Sequence, residues 1–329
     1  MGKKQKKMIL TGCLVLAALT VLFVLLLGEN VEELATALSG ISPLGVLTLL
    51  GTGGLYQALE ALICRRMVRT RLPAFSFRQA WRVVHLKVFG DVASFGTASV
   101  PMQSYALYRQ GLPVGTGIGL MTLEYVFHKG SVLLYASGML AAQWGWLQSN
   151  VPDVAAYLPA AYGVVTLIIT ALVLVCVWPA ARRGALWVVD RLPESGKWTA
   201  RKEAIRLQLE RLHTQSRALF RDRRCCAAIL LLNGGKLCVL FSIPWICLKF
   251  LGVSELSFLH VQLLASVMVL ITSALPNVAG LGPTEFAFLL LFAPCIGASQ
   301  AAIALILYRV ATYYVPFLVS IYPFCTIQQ

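Results

Sequence analysis

Apolar residues along this chain gather into long runs. Six of them, Met8–Leu27, Ser42–Cys64, Val114–Leu140, Leu158–Trp178, Ala227–Phe250 and Ser299–Thr326, stand out by length. A helix needs about 20 apolar residues to cross a hydrocarbon core of roughly 30 Å, and each run meets that length once tilt and frayed ends are allowed for. The pattern predicts about six transmembrane helices.

Two further regions are apolar but interrupted. From Val83 to Gln110 the chain holds Lys87, Gly90, Asp91, Gly96 and Pro101, with small residues throughout Ala93–Ser99. From His260 to Cys295 two apolar arms flank the break Leu275–Glu285, whose sequence is Leu-Pro-Asn-Val-Ala-Gly-Leu-Gly-Pro-Thr-Glu. Each of these arms has about 12 to 16 residues, roughly 18 to 24 Å of helix, which is short for a span. Both regions are expected to be re-entrant helical hairpins. Their non-helical tips need protein or a water-filled cavity to satisfy the backbone N–H and C=O groups, which places them inside the bundle. The expected fold is an all-α polytopic membrane protein of about six transmembrane helices plus two oppositely oriented re-entrant hairpins, forming a single integral membrane domain over residues 1–329.

Composition changes the picture little. Apolar residues make up 58% of the chain and charged residues 13%, too little polar surface for a water-soluble protein of this length. Charge placement adds orientation. Lys3, Lys4, Lys6 and Lys7 predict a cytoplasmic N-terminus, and Gly28–Ile41, with Glu29, Glu32 and Glu33 but no Lys or Arg, then lies outside. The loop carrying Arg65, Arg66, Arg69, Arg71, Arg78 and Arg82 falls inside, Ala141–Tyr157 without basic residues outside, and the Arg-rich 179–226 linker inside. Both termini are therefore expected in the cytoplasm. A cleaved signal peptide ending at Ala35-Thr36-Ala37 is the alternative for the N-terminus, but its apolar core exceeds the roughly 7–15 residues of a signal. The net charge of +14 sits mostly in loops assigned to the cytoplasmic face, where anionic lipids attract it, and needs no nucleic acid. Glu194–Leu219 reads as a helix lying on that surface.

The same series of two spans, a hairpin and a span occurs twice, starting from opposite sides of the membrane. This predicts an inverted-topology repeat of halves 1–150 and 151–329, the usual build of secondary transporters. The nine cysteines include no C-x-x-C pair, so no metal site or cofactor is expected. Gly51–Gly54 suits close helix packing within one chain or between the two chains of a homodimer.

Three segments resemble a known family: Pro101-Met102-Gln103-Ser104-Tyr105 with Gly111 and Pro113–Gly117, then Pro276–Glu285, and Tyr308-Arg309-Val310-Ala311-Thr312-Tyr313-Tyr314. They are similar to the lysylphosphatidylglycerol synthase transmembrane-region family, the flippase domain of the multiple peptide resistance factor and its stand-alone relatives. The resemblance covers nearly the whole chain. It implies movement of an aminoacylated phospholipid, typically lysyl-phosphatidylglycerol, from the inner to the outer leaflet of the bacterial plasma membrane, which weakens attraction of cationic antimicrobial peptides. Two departures bear on the substrate. Val100-Pro101 and Gln103 stand where many relatives carry Gly-Glu-Pro and a nearby Arg, and Asn277, Val278 and Ala279 replace part of a Pro-Gly-Gly-x-Gly motif. Full-length relatives synthesise the lipid with a further soluble domain. This chain ends at Gln329, just after its last span, so it is expected not to be an enzyme, and a lipid synthase is a candidate partner.

Ionisable residues within a membrane cost several kcal/mol on insertion scales and face the bundle interior with a partner or a task. The candidate substrate-binding residues are Asp91, Gln103, Glu124, Gly280, Gly282, Glu285 and Arg309. Glu285 begins a half-helix, where it caps the N-terminus or receives a lysyl ammonium. Asp91 pairs with Lys87 or Arg82, or supplies the matching carboxylate. Glu124 and His128 share a helix face as an internal pair or as a proton or lipid contact. Arg309 pairs with Glu285 or Asp91, or binds the lipid phosphate bidentately. Glu60 reads as interfacial. The rival functions are transport of another lipid, such as a polyprenyl-linked sugar or a glycolipid, and a non-transporting accessory role beside a lipid synthase.

Overall fold

The computed structural model of the protein describes residues 42–94, 98–191, 222–274 and 282–327, with isolated positions within 1–41 and 202–220. The first expected span, Met8–Leu27, the tip residues 275–281 with Gly280, and most of Glu194–Leu219 lie outside the described residues. The remainder is helical, and no strand occurs among the described residues.

The chain begins with α1 (Pro43–Val68), opened by Ser42, whose hydroxyl accepts the Gly45 N–H at 3.1 Å, and by Pro43 in the first turn. α2 (Phe77–Ala93) starts with a capping box in which Ser76 and Gln79 satisfy each other's backbone N–H groups. After a short break comes α3 (Ser99–Tyr108), then α4 (Val114–Asn150), α5 (Pro152–Val177) and the short α6 (Pro179–Asp190). The second part holds α7 (Arg223–Phe250), α8 (Phe258–Ala274), α9 (Pro283–Ile296) and α10 (Ala298–Arg309). A π-helical turn, Val310–Tyr314, joins α10 without interruption to α11 (Val315–Thr326).

Among the described residues, four helical stretches are long and apolar enough to cross a membrane: Pro43–Val68, Pro152–Cys176, Arg223–Phe250 and Ala298–Thr326. They coincide with four of the expected spans. The Val114–Leu140 run lies in a helix of 37 residues, longer but less apolar than those four, with Glu124, His128 and Lys129 inside it. At 1.5 Å per residue it is about 55 Å long, well beyond a hydrocarbon core.

The expected loop Ala141–Tyr157 is instead almost wholly helical, with Val151 alone separating α4 from α5. The cause is packing beyond the apolar run: Leu147 is buried and Trp146 stacks on His260 with ring centres 4.0 Å apart. α4 bends at Gln143, whose side chain donates to the Leu259 carbonyl at 3.1 Å. Within the basic linker, α6 is helical as well, and its Trp187 carries the Arg191 guanidinium 3.8 Å above the ring.

The interrupted regions each form two short helices packed together, α2 with α3 and α8 with α9. α2 and α3 approach so closely that a Cβ on Gly90 would sit 2.9 Å from the Ala98 carbonyl oxygen. α1 lies along α7, and α11 covers α2, where Phe89 stacks between Phe317 and Phe324 at 5.8 and 3.9 Å. Leu47, Leu167, Leu231 and Leu318 are exposed on α1, α5, α7 and α11. That surface suits lipid rather than water.

Candidate functional site

The break before α9 ends in a backbone conformation that suits glycine: Gly282 has φ +91°. Pro283 then fixes the first helical turn, leaving N–H groups without helical partners. Glu285 reaches back to satisfy one of them, its Oε2 accepting the Gly282 N–H at 2.6 Å. Its other oxygen, Oε1, accepts from both Nε and Nη2 of Arg309, each at 2.6 Å. Charge-assisted bonds of this kind contribute about 1.5–3 kcal/mol each.

Arg309 is 7% exposed and ends α10 where the π turn begins. In such a turn an extra residue is wound into the helix, a feature often found at functional sites. The turn packs against α1, and a Cβ on Gly53 would lie 2.6 Å from the Ala311 carbonyl oxygen. Tyr313 sits beside the Arg309 guanidinium, 5.4 Å from ring centre to Cζ. The same tyrosine lies within electrostatic reach of Glu285 and of Asp91, so the half-buried carboxylate on α2 belongs to the same neighbourhood. The structure thus brings Gly282, Glu285 and Arg309 together, while Asp91 on α2 interacts with Lys87 and the Ser99 side chain. Of the two readings for Arg309, the pairing with Glu285 is the one present. Gln103 on α3 is 3% exposed and its Nε2 has no hydrogen-bond partner among the described residues.

Glu124 belongs elsewhere. It lies on α4 near a second cluster centred on Glu60 of α1, which is 5% exposed. Glu60 Oε2 accepts from Lys236 of α7 at 2.6 Å, and Oε1 accepts from Lys87 of α2 at 2.9 Å. Lys236, 1% exposed, also contacts Nδ1 of His128 at 3.2 Å. Glu60 is enclosed by protein: its α1 turn is covered by α7 and α2, which bring two lysines to one carboxylate. Lys87 forms its hydrogen bond with Glu60 although Asp91 lies one turn away on α2. The Glu124 carboxyl is 6% exposed and neither oxygen has a hydrogen-bond partner among the described residues. Beside it on α4, Lys129 donates to Ser273 near the end of α8 at 2.8 Å.

Sequence reasoning read Glu60 as interfacial and Lys87 only as a partner for Asp91, and did not join either to Lys236. The signal was available in weak form, since each is a charge set in a largely apolar stretch and such charges need partners. Among the described residues no group of three or more His, Cys, Asp or Glu is placed to hold a metal ion.

No curated protein matches the chain. Comparison with protein families matches residues 9–320 to one described as the lysylphosphatidylglycerol synthase TM region. The match runs through the α2–α3 and α8–α9 pairs and the Arg309 turn, and agrees with the apolar helices as those of a membrane protein. The chain belongs to the lysylphosphatidylglycerol synthase TM-region family.

Proposed function

We propose that the protein is a lipid flippase that moves an aminoacylated phospholipid, lysyl-phosphatidylglycerol or a similar cationic lipid, from the inner to the outer leaflet of the bacterial plasma membrane. The observation that carries this reading is the Glu285–Arg309 pair at the broken start of α9. A lipid of this class presents an ammonium and a phosphate within one headgroup. Such a headgroup exchanges with the pair: Glu285 turns to the ammonium, and Arg309 offers its planar fork to the phosphate. Asp91 adds a second carboxylate for the cation, and the unpartnered Nε2 of Gln103 a donor for the phosphate or ester oxygens. Acyl chains stay in lipid. Export of such a lipid lowers the negative charge of the outer surface and with it the attraction of cationic peptides.

In this reading the α2–α3 and α8–α9 pairs are re-entrant hairpins entering from opposite sides, in an inverted repeat with both termini in the cytoplasm. The protein transports a lipid made by a separate synthase partner and catalyses no aminoacyl transfer itself. Cysteine accessibility tests the arrangement: labels near Ser99 and near Gly280 should react from opposite faces, and labelling of both from one face overturns the antiparallel pair.

Reconstitution with defined lipids tests the activity. Purified protein should equilibrate fluorescent lysyl-phosphatidylglycerol between leaflets, and Glu285→Gln, Asp91→Asn and Arg309→Ala should slow it while remaining monodisperse. Full transport in all three variants, or selective movement of a polyprenyl-linked sugar, defeats this assignment.

A further inference from the structure

Glu124 has no place in the headgroup site just described, and its surroundings differ in kind. The cluster around Glu60 contains ionisable groups from four helices at depth. Three of its members are matched: the Glu60 carboxylate holds both Lys236 and Lys87 as ion pairs. Glu124 is not matched. Its two oxygens accept no hydrogen bond from a described residue, yet it is as buried as Glu60. An ionised carboxylate without a partner in such a place carries a heavy desolvation penalty, whereas a carboxylic acid avoids most of it. Taking up a proton therefore stabilises an unpartnered Glu124 carboxyl in this conformation.

The groups facing Glu124 make that proton exchangeable. They are Tyr56, Glu60 and Cys64 on α1, Lys87 on α2 and Lys236 on α7, with His128 one turn further along its own helix. α3 and α8, also packed on α4, have no Asp, Glu, Lys or Arg, and the acidic residue of α5, Asp153, is at the far end of the α4–α5 hairpin. His128 follows Glu124 by one helical turn and contacts Lys236, so a small shift of α4 against α7 offers a Glu124 carboxylate a lysine partner. Ionised and protonated forms of Glu124 thus favour different helix arrangements.

We propose that Glu124 is a proton-exchange site that couples proton movement to lipid movement in opposite directions. This rests on the flippase reading above. A proton from water on one side of the membrane binds a Glu124 carboxylate oxygen and leaves to water on the other side. Each proton bound adds one positive charge beside Lys87, which lies one turn from Asp91 on α2, and so weakens the hold of that carboxylate on a cationic headgroup. Mutual exclusion of two cations on one carrier gives antiport. Exchange of one proton for a lipid of net charge +1 moves no net charge, so the pH gradient alone drives it.

The experiment uses the full chain in liposomes with fluorescent lysyl-phosphatidylglycerol, the membrane potential clamped at zero, and a gradient of one pH unit. Tightly coupled exchange of one proton per lipid concentrates the lipid about tenfold in the leaflet on the acid side, since one pH unit is worth a factor of ten in an equilibrium. Protein-free liposomes give the passive distribution. Glu124→Gln should bring the ratio to that passive value whatever its residual rate, while Glu124→Asp should retain most of it. A wild-type ratio equal to the passive one, with the lipid still moving, overturns the coupling and leaves the flippase assignment standing. An unchanged ratio in Glu124→Gln overturns the assignment of the site. If the wild-type protein moves no lipid, the flippase reading falls and the coupling with it. Infrared difference spectra across a pH titration then report the proton site alone: a protonated-carboxyl band absent from Glu124→Gln upholds it, and identical spectra overturn it.

Discussion

Two buried ion pairs in this protein use the same chemistry for different ends. At Glu285–Arg309 the carboxylate serves a helix start and a single guanidinium, beside a backbone break and a π turn. At Glu60 one carboxylate holds ammonium groups from two other helices, all within continuous α-helix. The first pair sits where backbone groups lack helical partners, so exchanging one ionic ligand for another leaves the helices intact. The second joins α1, α2 and α7 at one point, so losing either side strands a buried charge. The contrast separates a pair set at a helix start beside a π turn from a cluster that ties three helices together, although both look alike as charges in apolar sequence.

The contrast breaks most readily at Glu60. Glu60→Ala leaves Lys236 buried and unpaired and should cost about 3–5 kcal/mol, seen as a large drop in Tm of the detergent-solubilised protein. Adding Lys236→Met should recover much of the loss; equal Tm values for Glu60→Ala and the wild type would show that the cluster does not hold the helices. Next in size is Arg309→Lys, which keeps the charge but loses the two-donor fork. It should slow lipid movement by about 10- to 100-fold, from the roughly 1.5–3 kcal/mol of a charge-assisted bond, with little change in Tm. A large Tm loss with normal residual transport would place Arg309 with the structural group instead.

A smaller effect is expected at Gly53, where an added methyl meets the Ala311 carbonyl. Gly53→Ala should cost about 1–3 kcal/mol in unfolding by forcing α1 away from the π turn. It should also slow transport, because the turn positions Arg309. The smallest stability change belongs to Gln103→Leu. It removes a buried donor that has no partner among the described residues, so the unfolding free energy should stay within about 0.5 kcal/mol of the wild type or rise, while lipid movement falls. Unaltered transport would remove Gln103 from the headgroup site.

How much of this was legible in the sequence follows the same division. Local signals carried the spans and the breaks: four expected spans correspond to apolar helices, and the Gly-Pro-Thr-Glu end of the second break does start a helix at Pro283. The Glu285–Arg309 pairing was also within reach, because few charges lie in those segments and opposite charges at depth seek each other. The Glu60 cluster was not. Its partners are 27 and 176 residues away, and only the packing of α1 against α2 and α7 decides that Lys87 bonds to Glu60. α4 outran its apolar run because Leu147 is buried and the partly buried Trp146 stacks on His260, contacts from elsewhere in the chain that hydropathy does not record. The π turn carries no compositional mark that distinguishes Val-Ala-Thr-Tyr-Tyr from ordinary helix.

That turn has a geometric consequence of its own. One surplus residue in a helix amounts to about 100° of rotation, so α10 and α11 share an axis but are out of phase with each other. α10 keys into α9, and α11 keys into α2. The surplus acts as a phase shifter between two gears cut on one shaft, and it lets each half mesh with a different partner. Were the surplus to migrate by one turn, the residues it passes would rotate against their neighbours while both ends of the shaft stayed engaged. Arg309, at the edge of the turn, is the first tooth such a migration would move.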